Sequence, residues 1–238
     1  MTASFLQTLG WLKPSPADFK SRLKEAAATP EPGAELLALA SHALGETQLT
    51  SLAKALGKIQ AAGTPLKPLE PFRLGLIGNG TLNYIEATIV GSAIRHGLAV
   101  TTIRGEYDQV LQEAVVPDSA INTGKLDAVL VAVDFRGLPL QCPVGDEDAA
   151  QAVAKRALDY IEAVCSGIRE HGKAMPIVQT LAAPPETLFG GLDRSLPGTL
   201  FDIIGRINRG IAEAYRGSRG VVLDVARLAE SVGVASWF

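Results

Sequence analysis

FRLGLIGNGT, residues 72–81, brings three local signals together. Arg73–Ile77 is apolar enough for a strand buried on both faces, Gly78-Asn79-Gly80 is a turn with backbone freedom, and Leu82–His96 has the pattern of a helix. In an open α/β sheet a strand-turn-helix unit places its turn at the carboxyl end of the strand. Ligands bind at that end, and the first turn of the helix offers unpaired N–H groups. Chemistry is therefore expected at Gly78–Thr81 first.

Moving outward, short Val-, Ile- and Leu-rich runs recur at Ala99–Ile103, Ala128–Asp134, Pro176–Leu181 and Gly220–Asp224. Between them, Leu82–His96, Tyr107–Val115, Asp146–His171 and Leu200–Tyr215 read as helices. In the longest of these, Ala149, Val153, Ala157, Tyr160, Ile161, Val164 and Ile168 make one apolar stripe. Five strands joined by helical crossovers imply an α/β fold with a parallel sheet covered on both faces, a three-layer sandwich of flavodoxin-like strand order.

Residues 1–64 differ in pattern from the rest of the chain and form a small helical lead-in. Ser15-Pro16-Ala17-Asp18 supplies an N-cap candidate, a proline at the first helical position and an acid in the first turn, so a helix should run to about Ala28. Helical spacing returns at Ala34–Leu44 and Leu49–Ile59. Three prolines in 65–71 make a stiff connector, and the main domain is expected over 72–238.

Composition narrows the function classes. With 47% hydrophobic and 20% charged residues and a formal charge of -3, the 238-residue chain has an ordinary globular balance and no basic field for nucleic acid or an anionic membrane. Its two cysteines, Cys142 and Cys165, lack metal-ligand spacing, so neither a structural zinc site nor a disulfide framework is expected. Cys165 reads as core. No secretory leader or spanning segment stands out, which points to the cytoplasm. The apolar ending SVGVASWF suggests a piece of a longer chain.

Several chemistries compete at the turn. A dinucleotide fingerprint would need a third glycine at position 83, which is Asn, and an acid after the second strand, where Arg104 stands. A hydrolase reading makes Thr81 the nucleophile, with Asn79 and the N–H groups of Gly80 and Thr81 holding an oxyanion, but no base is at hand. His96 and His171 lie in the last turns of helices, where a cation suits the helix dipole. Asp134 and Arg136, just past the third strand, either orient a ligand or simply cap their loop and pair with each other. Gln179, Thr180 and Asp224 reach the same rim.

The stretches RLGLIGNGTLNYI, EYDQVLQEAVVPDSAI, KLDAVLVAVDFRGL, PIVQTLAAPP and SLPGTLFDIIGRINRGIAEAYRGSRGVVLDVARLAESVGVASWF, in this order, resemble the amino-terminal region of FkbH-like proteins. These are subfamily IIIC members of the haloacid-dehalogenase superfamily. The resemblance implies an SGNH-hydrolase-like fold for this region. It also implies a phosphatase half beyond Phe238, with an Asp-x-Asp strand end and Mg, and no cofactor within the present residues. The whole molecule would deliver a glyceryl thioester to an acyl carrier protein.

Against the SGNH pattern, Gly80 stands where the serine nucleophile belongs, Ala132-Val133-Asp134 echoes the third block, and the Asp-x-x-His of the fifth is missing although Asp224 ends a suitable strand. The candidate substrate-binding set is Gly78, Gly80, Tyr107, Gln109, Asp134, Arg136 and Gln179, with Thr81 and Asn79 as the catalytic candidates. Three functions remain in competition: a degenerate domain that binds an acyl substrate or carrier protein, an esterase or acyltransferase using Thr81, and a nucleotide-binding domain.

Overall fold

The computed structural model describes residues 9–26, 28–217 and 220–238. Five strands, β1 (Glu70–Gly78), β2 (Leu98–Arg104), β3 (Ala128–Ala132), β4 (Met175–Gln179) and β5 (Val221–Leu223), form one sheet in the order β2-β1-β3-β4-β5. That is the flavodoxin-like order, in an all-parallel sheet flanked by helices. Register is set by Val129 opposite Pro176 in β3–β4 and by Val178 opposite Val222 in β4–β5.

Two compact units divide the chain: one runs to Leu74 and resumes over Leu82–Thr102, and the other holds Gly75–Thr81 with Ile103–Phe238. The first contains α1 (Phe19–Ala26), α2 (Pro32–Ala40), α3 (Glu46–Ala61) and α4 (Asn83–Ala93). Its core joins Phe19, Leu36, Leu39, Leu52, Leu56 and Ile94, each under about a twentieth exposed. Pro32 opens α2 where its missing N–H costs nothing, and Gln48 accepts the Gly45 N–H ahead of α3 at 3.1 Å. The chain leaves α2 earlier than its apolar spacing suggests, because His42–Ala43 pairs in parallel with Lys13–Pro14.

The second unit holds α5 (Val110–Val115), α6 (Ala120–Thr123), α7 (Glu147–Gly167), α8 (Leu200–Ala214), α9 (Val225–Val232) and α10 (Val234–Trp237). Along α7 the buried face is Ala150, Val153, Ala154, Ala157, Ile161, Val164 and Cys165, which meets α8 through Ile203, Ile204, Ile207 and Ile211. Ala149 and Tyr160, placed in the stripe by spacing, sit at its half-buried edge.

Three boundaries depart from the sequence pattern for local reasons. The helix after β2 starts at Val110 and not at Tyr107, because Asp108 takes the left-handed region at φ 57°. The long helix closes at Gly167 and continues only as a π turn, Ile168–Gly172, before Lys173 turns left-handed at φ 56°. Strands β3 and β4 stop short of Asp134 and Leu181, whose backbone N–H groups go to the side chains of Asn79 and Asn208 instead of the ladder.

Candidate functional site

At the carboxyl end of β1, Gly78 lies so close to β3 that a Cβ there would stand 2.5 Å from the Ala132 carbonyl oxygen. Only glycine fits this approach. The approach lets the next residue reach across: Asn79 Nδ2 donates to Asp134 Oδ1 at 2.6 Å, and Asn79 Oδ1 accepts the Asp134 backbone N–H at 2.8 Å. The two bonds form a reciprocal clasp between strand ends. Asp134 also caps the short turn Phe135–Gly137 by accepting the Arg136 N–H at 2.8 Å. Gly137 leaves room for the clasp, since a Cβ there would fall 2.7 Å from Asn79 Cγ.

The guanidinium of Arg136 completes the cluster. Its Nη1 pairs with Asp134 Oδ2 at 3.1 Å, with the two side chains 59% and 41% exposed, so solvent screens most of the Coulomb attraction. Its Cζ stands 4.6 Å from the Phe135 ring centre and 5.3 Å from that of Phe238, within cation–π range of both. Gln179, at the end of β4, donates to the Val133 carbonyl at 3.1 Å and ties the third and fourth strands together just below the rim. Beyond it, Thr180 donates to Asp224 at 2.9 Å while accepting the Ala226 N–H, so Asp224 caps α9.

Of the residues singled out from sequence, Asn79, Asp134, Arg136 and Gln179 come together with Gly78 as their spacer. Thr81 is exposed, and the N-cap of α4 is Leu82, which makes no capping bond. Gly80 is exposed too, and a Cβ there would meet nothing within 4 Å. Tyr107 and Gln109 lie exposed on the loop before α5. Among the described residues, no hydrogen bond joins Thr81, Tyr107 or Gln109 to the Asn79–Asp134 clasp. His96 and His171 fall at the amino ends of β2 and β4, the wrong ends of their strands for rim chemistry.

Other residues of this unit matter that sequence reasoning passed over. Glu113, only 9% exposed on α5, accepts the Glu106 N–H through Oε1, while its Oε2 is buried without a partner among the described residues. Asp193, 5% exposed, accepts the backbone N–H groups of Leu188 and Phe189 at 2.9 and 2.8 Å and so staples the loop after β4. That loop, Phe135, Arg136 and the start of α8 enclose a cavity of about 390 Å³.

A second groove, between α7 and α8, holds an ion-pair cluster in which Arg206 bonds Glu147 twice and Asp202 twice. These bonds hold Glu147 below its ordinary range and raise Arg206. Burial pushes the Cys165 thiol up to about 11. Among the described residues no group of three His, Cys, Asp or Glu side chains is placed to hold a metal ion, and no helix is long and apolar enough to cross a membrane.

No protein-family model matches this sequence, and no curated protein matches it. Among solved structures, the chain is similar to the crystal structure of the N-terminal part of the protein BF1531 from Bacteroides fragilis, which contains a phosphatase domain and is complexed with Mg. Identity is 15% and the TM-score 0.63, with 80% of this chain and 47% of that one covered. At this identity the likeness is one of fold, and the chain spans about half the length of that neighbour.

Proposed function

We propose that these 238 residues are the non-phosphatase, SGNH-like region of an FkbH-type protein, a domain that holds a small acyl substrate or an acyl carrier protein and performs no hydrolysis itself. The observation that carries the reading is the Asn79–Asp134 clasp. A rim asparagine used for an oxyanion aims an N–H at the reacting atom, whereas Asn79 commits one of its two to the Asp134 carboxylate at 2.6 Å and its Oδ1 to the Asp134 N–H, two bonds that fix the amide toward the neighbouring strand end. Gly80 occupies the nucleophile position without a side chain, although the space there is open. The rim is therefore a strand-end platform. It has the ordered polar surface of a ligand site, and among the described residues neither His96 nor His171 lies at this end of the sheet to act as base.

The likeness to the N-terminal part of BF1531 supports the family assignment through fold alone. In this reading, phosphate removal and its Mg belong to a phosphatase half outside the present residues. The glyceryl or acyl transfer to an acyl carrier protein is likewise a property of the whole molecule.

Incubation with p-nitrophenyl acetate tests the absence of hydrolysis, and capture of an immobilised acyl carrier protein tests the binding role. The expected result is no turnover above a Thr81→Ala control, together with saturable capture. Turnover abolished by Thr81→Ala would replace the proposal with a threonine-dependent esterase.

A further inference from the structure

We infer that the cavity beside Arg136 is an acyl subsite whose preferred ligand is a medium-chain aliphatic carboxylate, its chain among Phe135, Leu188, Leu200 and Phe201 and its charged end on Arg136. The inference rests on the acyl-binding reading above and names the substrate class.

Position, lining and charge each contribute. The cavity opens at the carboxyl rim of β3 and β4, where parallel sheets bind ligands. Its volume of about 390 Å³ is at the small end of the ligand-pocket range of roughly 300–1,000 Å³, too small for a dinucleotide or a folded peptide. Apolar side chains dominate the lining. A glycerate, all hydroxyls and carboxylate, would leave that surface unused, while an alkyl chain would remove it from water.

Two further acids border the space. Asp193 accepts the Leu188 and Phe189 N–H groups, one on each carboxylate oxygen, so it shapes the wall. Glu186 is exposed. Arg136 is the one cation lining the cavity among the described residues, and Asp134 takes only its Nη1 edge. The remaining donors of the planar fork suit a carboxylate.

The wall is also prepared in advance. Thr199 donates to the Asp193 carbonyl at 2.6 Å and accepts the Asp202 N–H, joining the stapled loop to the first turn of α8. Leu188, 73% exposed, is the lining side chain that gains most from an apolar occupant.

Calorimetric titration of the chain with butanoate, hexanoate and octanoate is the test, with glycerate and octanol as comparators. Burial of about 0.8 kcal/mol per methylene corresponds to roughly fourfold in affinity, so octanoate should bind more tightly than hexanoate by about fourfold to sixteenfold. Arg136→Gln should weaken octanoate by about tenfold and leave octanol unchanged. Ala183→Phe, which fills the cavity, should abolish both. If that variant fails to fold, Leu188→Glu, which puts a charge into the apolar wall at an exposed position, should weaken both.

Glycerate binding as well as octanoate, indifference to chain length, or octanoate binding left unchanged by a folded Ala183→Phe or by Leu188→Glu would each overturn the subsite. Loss of the subsite with carrier-protein capture intact would leave the domain-level function standing. Loss of both would remove the acyl-binding reading as well.

Discussion

Replacing Asn79 with Ala removes both bonds of the clasp at once. The bond from Nδ2 to the Asp134 carboxylate involves a charged acceptor, a class that contributes about 1.5–3 kcal/mol, and the bond from the Asp134 N–H is of the neutral kind, about 0.5–1.5 kcal/mol. The Asp134 side chain is 41% exposed, so water replaces part of the lost donation and the lower ends apply, about 2 kcal/mol together. With a urea slope near 2 kcal/mol per molar, the unfolding midpoint should fall by about 1 M. Far-UV circular dichroism against urea reads this directly.

Gly137→Ala attacks the same clasp from the other side, because its Cβ would stand 2.7 Å from Asn79 Cγ. The penalty should shrink when Asn79 is already Ala, a non-additivity that independent sites lack. Thr81→Ala, at an exposed residue outside the clasp, should stay within about 0.5 kcal/mol of the parent. An Asn79→Ala cost under about 0.5 kcal/mol, with additive Gly137→Ala, would refute the claim that Asn79 is a structural residue committed to Asp134.

Three further outcomes are expected. Asn122 donates its side-chain N–H groups to the carbonyls of Glu113, Ala114 and Val116 at the end of α5, so Asn122→Leu should lower stability by about 1–3 kcal/mol in thermal unfolding. Native protein at pH 8 should give one equivalent of thiol to a disulfide reagent, from half-exposed Cys142. Buried Cys165, with its thiol pushed up to about 11, should react only after denaturation. Glu147 is held below its ordinary range, so its bond to Arg206 contributes above the usual carboxylate pKa and is lost as pH falls through the lowered value. Glu147→Gln should accordingly flatten the stability profile below about pH 4.5, read by urea midpoints.

The sheet was legible because the strands are short Val-, Ile- or Leu-rich runs and the long crossovers keep a helical period. FRLGLIGNGT alone placed the rim, and the alternation after it implied the parallel sheet, whose order is the flavodoxin-like one expected. The bland reading of Asp134, as a loop cap paired with Arg136, comes from two residues two positions apart and needs no tertiary information. The clasp was not readable, since Asn79 and Asp134 are 55 residues apart and nothing local in either segment marks the other as its partner.

Asn208 shows the same limit. Its place in the last long helix suggests packing or exposure, yet its amide bonds both backbone groups of Leu181, 27 residues earlier. The cavity escaped for a different reason. Its wall is the aperiodic loop after β4, and the residue that holds that loop, Asp193, looks like any loop acid until its two backbone partners are seen. The candidates Tyr107 and Gln109 lie before α5, kept outside it by the left-handed turn at Asp108.

In the proposed function the rim binds an acyl group and leaves it intact. Octanoyl-pantetheine, added in excess and followed by chromatography alongside a binding isotherm, tests both halves at once. Saturable binding with the thioester surviving as long as it does in buffer is the predicted result. Thioester cleavage that requires the protein and disappears in Thr81→Ala would contradict it.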